Sequence, residues 1–211
     1  MGSIGLALLN SLDIGLLLFI IAVGLNIVFG VLNVINFAHG ALYMLGAYLA
    51  FSCVNGLGMP FWLTLMVAPL GVAVLAVLVD RLMLRFVYQR EVTDSLLLTF
   101  ALLLILNESV RMIWGTGIHV VEPPELLRGT VLLPGGIRYP LYSLFVILAG
   151  ALVLFGLWFL FNKTRAGKIM RAAALDREMA QVLCINTRLV ITGVFAFGAW
   201  LAAVGGVVAA P

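Results

Sequence analysis

The chain is 211 residues long, 64% hydrophobic and 10% charged, with a mean hydropathy of +1.21. A soluble domain of that length has too little interior to hide so much apolar surface, which excludes a soluble globular protein and indicates an integral membrane one. The net charge of +3 does not indicate nucleic acid, because the Lys and Arg residues are confined to segments beside apolar runs and so report membrane orientation.

The amino terminus has no Lys or Arg ahead of its apolar run and places Asp13 just before it, so it does not read as a cleaved signal peptide. Residues 14–32 read as a first span, long enough for a hydrocarbon core of about 30 Å and interrupted among polar residues by Asn26. Asn33, Asn36 and His39 then precede a second apolar run, 41–54, that is short for a crossing by itself. Two arrangements follow: the second helix starts earlier and carries Asn36 and His39 into the bilayer, or the chain is broken there and re-enters. Polar groups at membrane depth need protein or water partners, so these residues read either as a helix cap at the membrane edge or as part of a solute pathway.

A tight loop at 55–60 leads to a third span, 61–79, in which Pro69 removes a backbone donor and is expected to kink the helix. Residues 80–94 follow as a polar connection with Arg81, Arg85 and Arg90, and Thr93 or Asp94 is expected to cap a fourth span, 95–114. Glu108 and Arg111 are neighbours on one helix face near its far boundary, where each neutralises the other and snorkels to the interface. The excursion 115–138 carries His119, Glu122 and Glu125, and a Pro134-Gly135-Gly136 turn between short apolar runs predicts a small hairpin.

A fifth span, 139–161, has aromatic residues at both ends. The next segment, 164–187, is the long polar stretch of the chain, with Arg165, Lys168, Arg171 and Arg177 against Asp176 and Glu178. No proline stops a helix between 167 and 183, and Ile169, Ala172, Ala173, Met179, Val182 and Leu183 form an apolar stripe at helical spacing. Such a helix either lies along the headgroups or docks into another protein. The sixth span, from Leu189, repeats small residues every four positions at Gly198, Ala202, Gly206 and Ala210, a pattern that permits close helix packing. The Lys and Arg bias makes 80–94 and 163–188 cytoplasmic, with the amino terminus, 55–60, 115–138 and Pro211 outside. Cys53 and Cys184 then fall on opposite sides, too far apart for a disulfide.

The phrases VFGVLNVINFAHGALYMLGAY, TFALLLILNESVRMIWGTG and TRAGKIMRAAALDREMAQVLCIN, in that order, resemble the LivH type of branched-chain amino acid ABC transporter permease over essentially the whole chain. The resemblance implies an all-α polytopic helical bundle of about six spans, one transmembrane permease domain over 1–211, in the bacterial inner membrane. Its implied partners are a second permease subunit (LivM-like, or a copy of itself), two cytosolic ABC ATPase subunits and a periplasmic amino-acid-binding protein. The segment 165–186 would be the coupling helix that docks on the ATPase, with Gly167, Arg171, Ala172, Ala173, Asp176, Ala180, Ile185 and Asn186 as its coupling positions. No catalytic residue, metal or bound cofactor is expected. ATP and Mg would be used by the partner ATPase, in keeping with the absence of a GxxxxGK[ST] phosphate loop.

Asn26, Asn36 and His39 are the candidate pathway residues, chosen because they are polar groups near apolar helices. Branched-chain amino acids are the expected solutes. Close relatives that handle urea or short-chain amides supply one alternative, and an ion-gradient-driven secondary transporter supplies another. The latter would need ionisable residues at mid-membrane; Glu108 comes nearest, and Arg111 accounts for it. A membrane enzyme fits less well, since no cluster of His, Asp, Glu or Cys stands out in the sequence.

Two departures from the family pattern carry expectations. Cys184 stands where relatives have glycine, so a left-handed conformation at the end of the coupling segment would be strained. Related permeases also continue through further spans, so the chain is expected to lack carboxyl-terminal spans and the Gly198 to Ala210 stripe to lack its usual neighbours.

Overall fold

A computed structural model describes residues 2–211 except 89, 118 and 134–136. Among the described residues, 5 helices are long and apolar enough to cross a membrane. These are α1 (Gly2–Leu32), α3 (Phe61–Leu82), α4 (Val92–Trp114), α5 (Leu141–Lys163) and α8 (Thr187–Val208). Helix is the expected outcome for such runs, because backbone N–H and C=O groups in lipid have no water to bond and must pair within their own segment. The remaining apolar run is α2 (His39–Phe51), only 13 residues long and continued by a π turn, Ser52–Gly56. The protein is therefore a polytopic helical membrane protein, with a sixth apolar segment set among five longer helices.

Element ends follow local chemistry. Pro60 and Pro140 stand just ahead of α3 and α5, where a missing N–H costs no helical bond. Helix α3 runs unbroken through the buried Pro69. Gly115, at φ +79°, ends α4 in a conformation that glycine adopts without strain. Neither Thr93 nor Asp94 caps α4, contrary to the sequence reading: both lie inside its first turn, and Glu91 occupies the cap position without a side-chain bond. Asp94 acts there by its charge against the positive end of the helix dipole. The expected hairpin is present, β1 (Thr130–Leu133) pairing antiparallel with β2 (Ile137–Pro140) and Leu133 opposite Ile137. Its Pro134-Gly135-Gly136 turn lies outside the described residues.

Helix α8 is the centre of the bundle and packs on α1, α2 and α3. Its small-residue stripe explains how. A Cβ on Gly198 would lie 2.3 Å from Cγ2 of Val28 in α1, and one on Gly206 would lie 2.1 Å from the carbonyl oxygen of Tyr43 in α2. Gly46 of α2 answers from the other side, its absent Cβ falling 2.6 Å from Cα of Ala203. Only a residue without a side chain fits where backbones meet at such range. Within this chain α1 and α2 pack against the stripe, and Ala202 in its middle is 0% exposed.

The segment 164–187 departs from the single helix the sequence suggested. It forms α6 (Arg165–Leu175) and α7 (Arg177–Val182), broken at Asp176. Asp176 adopts an extended backbone, and its carboxylate accepts the N–H of Met179 at 2.9 Å, so it caps α7. An aspartate that can bond the backbone two or three residues on offers the chain an alternative to continuing a helix, and no proline is needed for the break.

Candidate functional site

The junction between α1 and α2 carries the most unusual backbone in the molecule. Helix α1 stops at Leu32, Asn33 takes φ +55°, a value asparagine tolerates better than most residues, and residues 34–36 have no regular structure. Asn36 closes the segment by accepting the N–H of Ala38 on its Oδ1 (3.1 Å) and that of His39 on its carbonyl (3.2 Å). Thr99 of α4 donates its hydroxyl to the carbonyl of Ile35 at 3.3 Å.

This segment leads the chain back alongside α1. His39 Nε2 is 3.1 Å from the carbonyl oxygen of Ile21, in the middle of α1. From Ile21 to the end of α1 at Leu32 the helix advances about 16 Å at 1.5 Å per residue. Helix α2 therefore begins at membrane depth, beside Gly24 and Gly198, and the chain climbs to it as non-helical backbone. Of the two arrangements the sequence allowed, the broken, re-entering one is found.

Asn36 and His39 are 4% and 3% exposed. Asn36 Nδ2 and His39 Nδ1 have no hydrogen-bond partner. With Nε2–H donating to Ile21, Nδ1 is an unpaired acceptor, while the Asn36 amide is an unpaired donor. The third pathway candidate, Asn26, is not brought to them. It is exposed on α1, about 200° round the helix from Gly24, the residue that faces His39.

Below the junction, where α3 ends, lies a polar cluster that the sequence reading passed over. Asp80, assigned by hydropathy to a loop, is in the last turns of α3 and 1% exposed. Its carboxylate accepts the hydroxyls of Tyr88, at 2.6 Å, and of Thr192 in α8. Burial, and then the bond to Asp80, push the Tyr88 phenol well above its ordinary pKa, so Tyr88 stays a donor. Beside it Arg177, the first residue of α7, donates through Nη2 to the carbonyl of Val31 at 3.3 Å. The α6–α7 segment is thus bonded to the last turn of α1, directly ahead of the break. An acidic residue closing an apolar run eight positions before a tyrosine was the one signal in the sequence.

The eight coupling positions separate by role. Gly167 is a packing residue: a Cβ there would lie 2.2 Å from the carbonyl oxygen of Leu160, where α6 folds back on α5. Ala173 and Ala180 are buried and Ala172 half-buried. Asn186 caps α8 by accepting the N–H of Leu189 at 3.2 Å, and the N–H of Ile185 closes α7 on the carbonyl of Ala180 at 3.1 Å. Arg171 and Asp176 are exposed. The apolar stripe does not face inward as a unit: Leu175, which the helical reading omitted, is 88% exposed, Val182 76%, Leu183 66% and Met179 56%.

Cys184 has φ +59°, the left-handed conformation expected of a glycine at this helix end. Cys184→Gly is expected to stabilise the protein by about 1 kcal/mol, the cost of a side chain in that region. An unchanged or lower melting temperature in detergent would show that the turn is not strained.

Comparison with known proteins agrees with this geometry. The sequence profile of the family described as "Branched-chain amino acid transport system / permease component" matches residues 7–211. The chain is 28% identical to the high-affinity branched-chain amino acid transport system permease protein BraD of Pseudomonas aeruginosa, over 95% of this chain and 68% of that protein. It is 28% identical to the permease protein LivH of Salmonella typhimurium and 29% identical to LivH of Escherichia coli, each over 94% of this chain and 68% of the relative. No solved structure matches. A profile match over nearly the whole chain, on a polytopic helical bundle, places this protein in the branched-chain amino acid transport permease family.

Proposed function

We propose that the chain acts, over residues 1–211, as one transmembrane permease domain of an ATP-driven importer that moves branched-chain amino acids across a bacterial inner membrane. The partners in this reading are a second permease subunit or a further copy of this chain, two cytosolic ATPase subunits that use ATP and Mg, and a periplasmic binding protein. The observation that carries it is the bond from Arg177 to Val31, because it joins an exposed two-helix element to the broken segment at membrane depth. A movement of docked α6 and α7 reaches the break through this contact without crossing a flexible linker.

The chemistry at the break suits a zwitterion. The Asn36 amide offers a donor to a carboxylate and His39 Nδ1 an acceptor to an ammonium group, both now covered by α1, α2 and α8. Alternating access would uncover them in turn to either side. Exposed Leu175, Met179, Val182 and Leu183 supply the apolar contacts of the docking face.

Asp176→Arg removes the cap of α7 and reverses a charge on that face. Expressed with its ATPase and binding protein, this variant is expected to lose leucine uptake by about tenfold or more, the size of a typical coupling free energy. ATP hydrolysis by the solubilised complex should persist. Wild-type uptake at normal expression would overturn the docking role.

A further inference from the structure

A cavity of about 360 Å³ opens at the cytoplasmic end of the bundle, between the last turn of α1, the first turn of α4 and the junction of α6 with α7. We propose that it holds the phosphate of an anionic phospholipid from the cytoplasmic leaflet. The assignment concerns a different site from the solute pathway and does not depend on which solute is carried.

The polar part of the wall is cationic and hydroxylic. Arg90, Arg177, Ser95 and Tyr88 line the cavity together with residues 31–34 and the apolar residues 173–175. Arg177 uses Nη2 on Val31, which leaves the other N–H groups of its guanidinium for a ligand. Arg90 forms no ion pair among the described residues, and Ser95 is a lining residue that is 2% exposed. Neighbouring acids are directed elsewhere. Asp80 lies behind Tyr88 and is held by two hydroxyls, Asp176 caps α7, and neither Glu91, Asp94 nor Glu178 is part of the lining. Two guanidiniums without a carboxylate between them form an anion site, and a phosphate matches their forked donors.

Position and surroundings distinguish a lipid from a free anion. The cavity sits at the level where α1, α3 and α4 leave the membrane, which is where the headgroup phosphates of the cytoplasmic leaflet lie. On its membrane side the surface is apolar and open: Ile35, Phe37, Leu97 and Phe100 are 45%, 48%, 64% and 47% exposed, with Phe37 set edge-on to Phe100 at 6.2 Å. Thr99 binds Ile35 one helical turn above Ser95, so this apolar strip is continuous with the cavity mouth. A ligand with a phosphate at one end and acyl chains at the other satisfies both parts. Inorganic phosphate or a carboxylate would satisfy only the first.

The test is native mass spectrometry of the full chain, with any subunits that copurify, titrated separately with phosphatidylglycerol, phosphatidylethanolamine and inorganic phosphate. Phosphatidylglycerol should bind in preference to phosphatidylethanolamine, and Arg90→Gln should weaken it by about fivefold, the effect of one arginine near an anionic surface. Arg85→Gln is the control, since Arg85 lies over the Phe86 ring and outside the cavity; it should leave the affinity unchanged. Equal losses in both variants, or none in Arg90→Gln, would overturn the site. Displacement of phosphatidylglycerol by millimolar phosphate would show a free-anion site and overturn the lipid assignment.

Discussion

Gly206→Ala is expected to remove most of the folded protein from detergent extracts, although it adds a single methyl group. That methyl would sit 2.1 Å from the carbonyl oxygen of Tyr43 and 3.0 Å from the amide nitrogen of Ala47. Both are helix backbone, so no rotamer change relieves the clash, and α2 must move away from α8. It cannot do so alone, since the same two helices meet as closely one turn along, where a Cβ on Gly46 would fall 2.6 Å from Cα of Ala203. Overpacking of this kind costs about 3 kcal/mol or more, a large share of the stability of a typical domain. Gly193→Ala in the same helix is the control: nothing lies within 4 Å of its added Cβ, and the better helix propensity of alanine should make it neutral or stabilising by up to about 1 kcal/mol. Size-exclusion profiles and melting temperatures of the two variants check the difference. Similar behaviour would mean that the stripe is not the contact that sets the bundle.

The second large effect is expected at Asp80. Asp80→Leu should lower stability by about 3 kcal/mol, because it leaves the Tyr88 and Thr192 hydroxyls without their charged acceptor in a buried place. Those two residues belong to different parts of the chain, Thr192 lying 112 positions from Asp80 and Tyr88 only 8. The carboxylate thus pins α8 to α3 and also to the connection toward α4. Asp80→Asn keeps one acceptor oxygen and should recover part of the loss. Tyr88→Phe should cost about 1–2 kcal/mol and add little in an Asp80→Leu background, since the same bond is then already gone. A melting temperature in Asp80→Leu equal to wild type would show that the cluster is solvated.

Both effects bear on transport through the same geometry. Helix α8 holds α2 in place, with His39 buried in its first turn and Asn36 buried just ahead of it, and the Asp80 cluster lies next to Arg177 at the foot of the break. In the proposed importer, a variant that loosens either contact should lower uptake beyond what its expression level explains.

Much of this architecture was legible in the residues. Spans 61–79 and 95–114 fall within observed helices, and 139–161 does so from Leu141 onward, Tyr139 and Pro140 belonging to β2, since a long apolar run in lipid has no option but to bond its own backbone. The β1–β2 pairing, the small residues of the α8 stripe and the left-handed turn at Cys184 were legible from short stretches of sequence. The membrane class and family likewise followed from composition and from three long phrases of sequence.

What the tertiary structure alone decided is depth and pairing. Hydropathy assigned Asp80 to a loop because it counts residues along the chain and not their neighbours, while the hydroxyl of Thr192 keeps that carboxylate inside. Asp176 broke the helix expected over 167–183 through a capping bond that competes with helix continuation, a balance the absence of proline does not reveal. The descent of α1 and the return of the chain to a buried α2 rest on bonds between Thr99 and Ile35 and between Arg177 and Val31, 64 and 146 residues apart. No local pattern encodes such contacts, because the free energy that holds irregular backbone inside a membrane comes from groups supplied by distant helices.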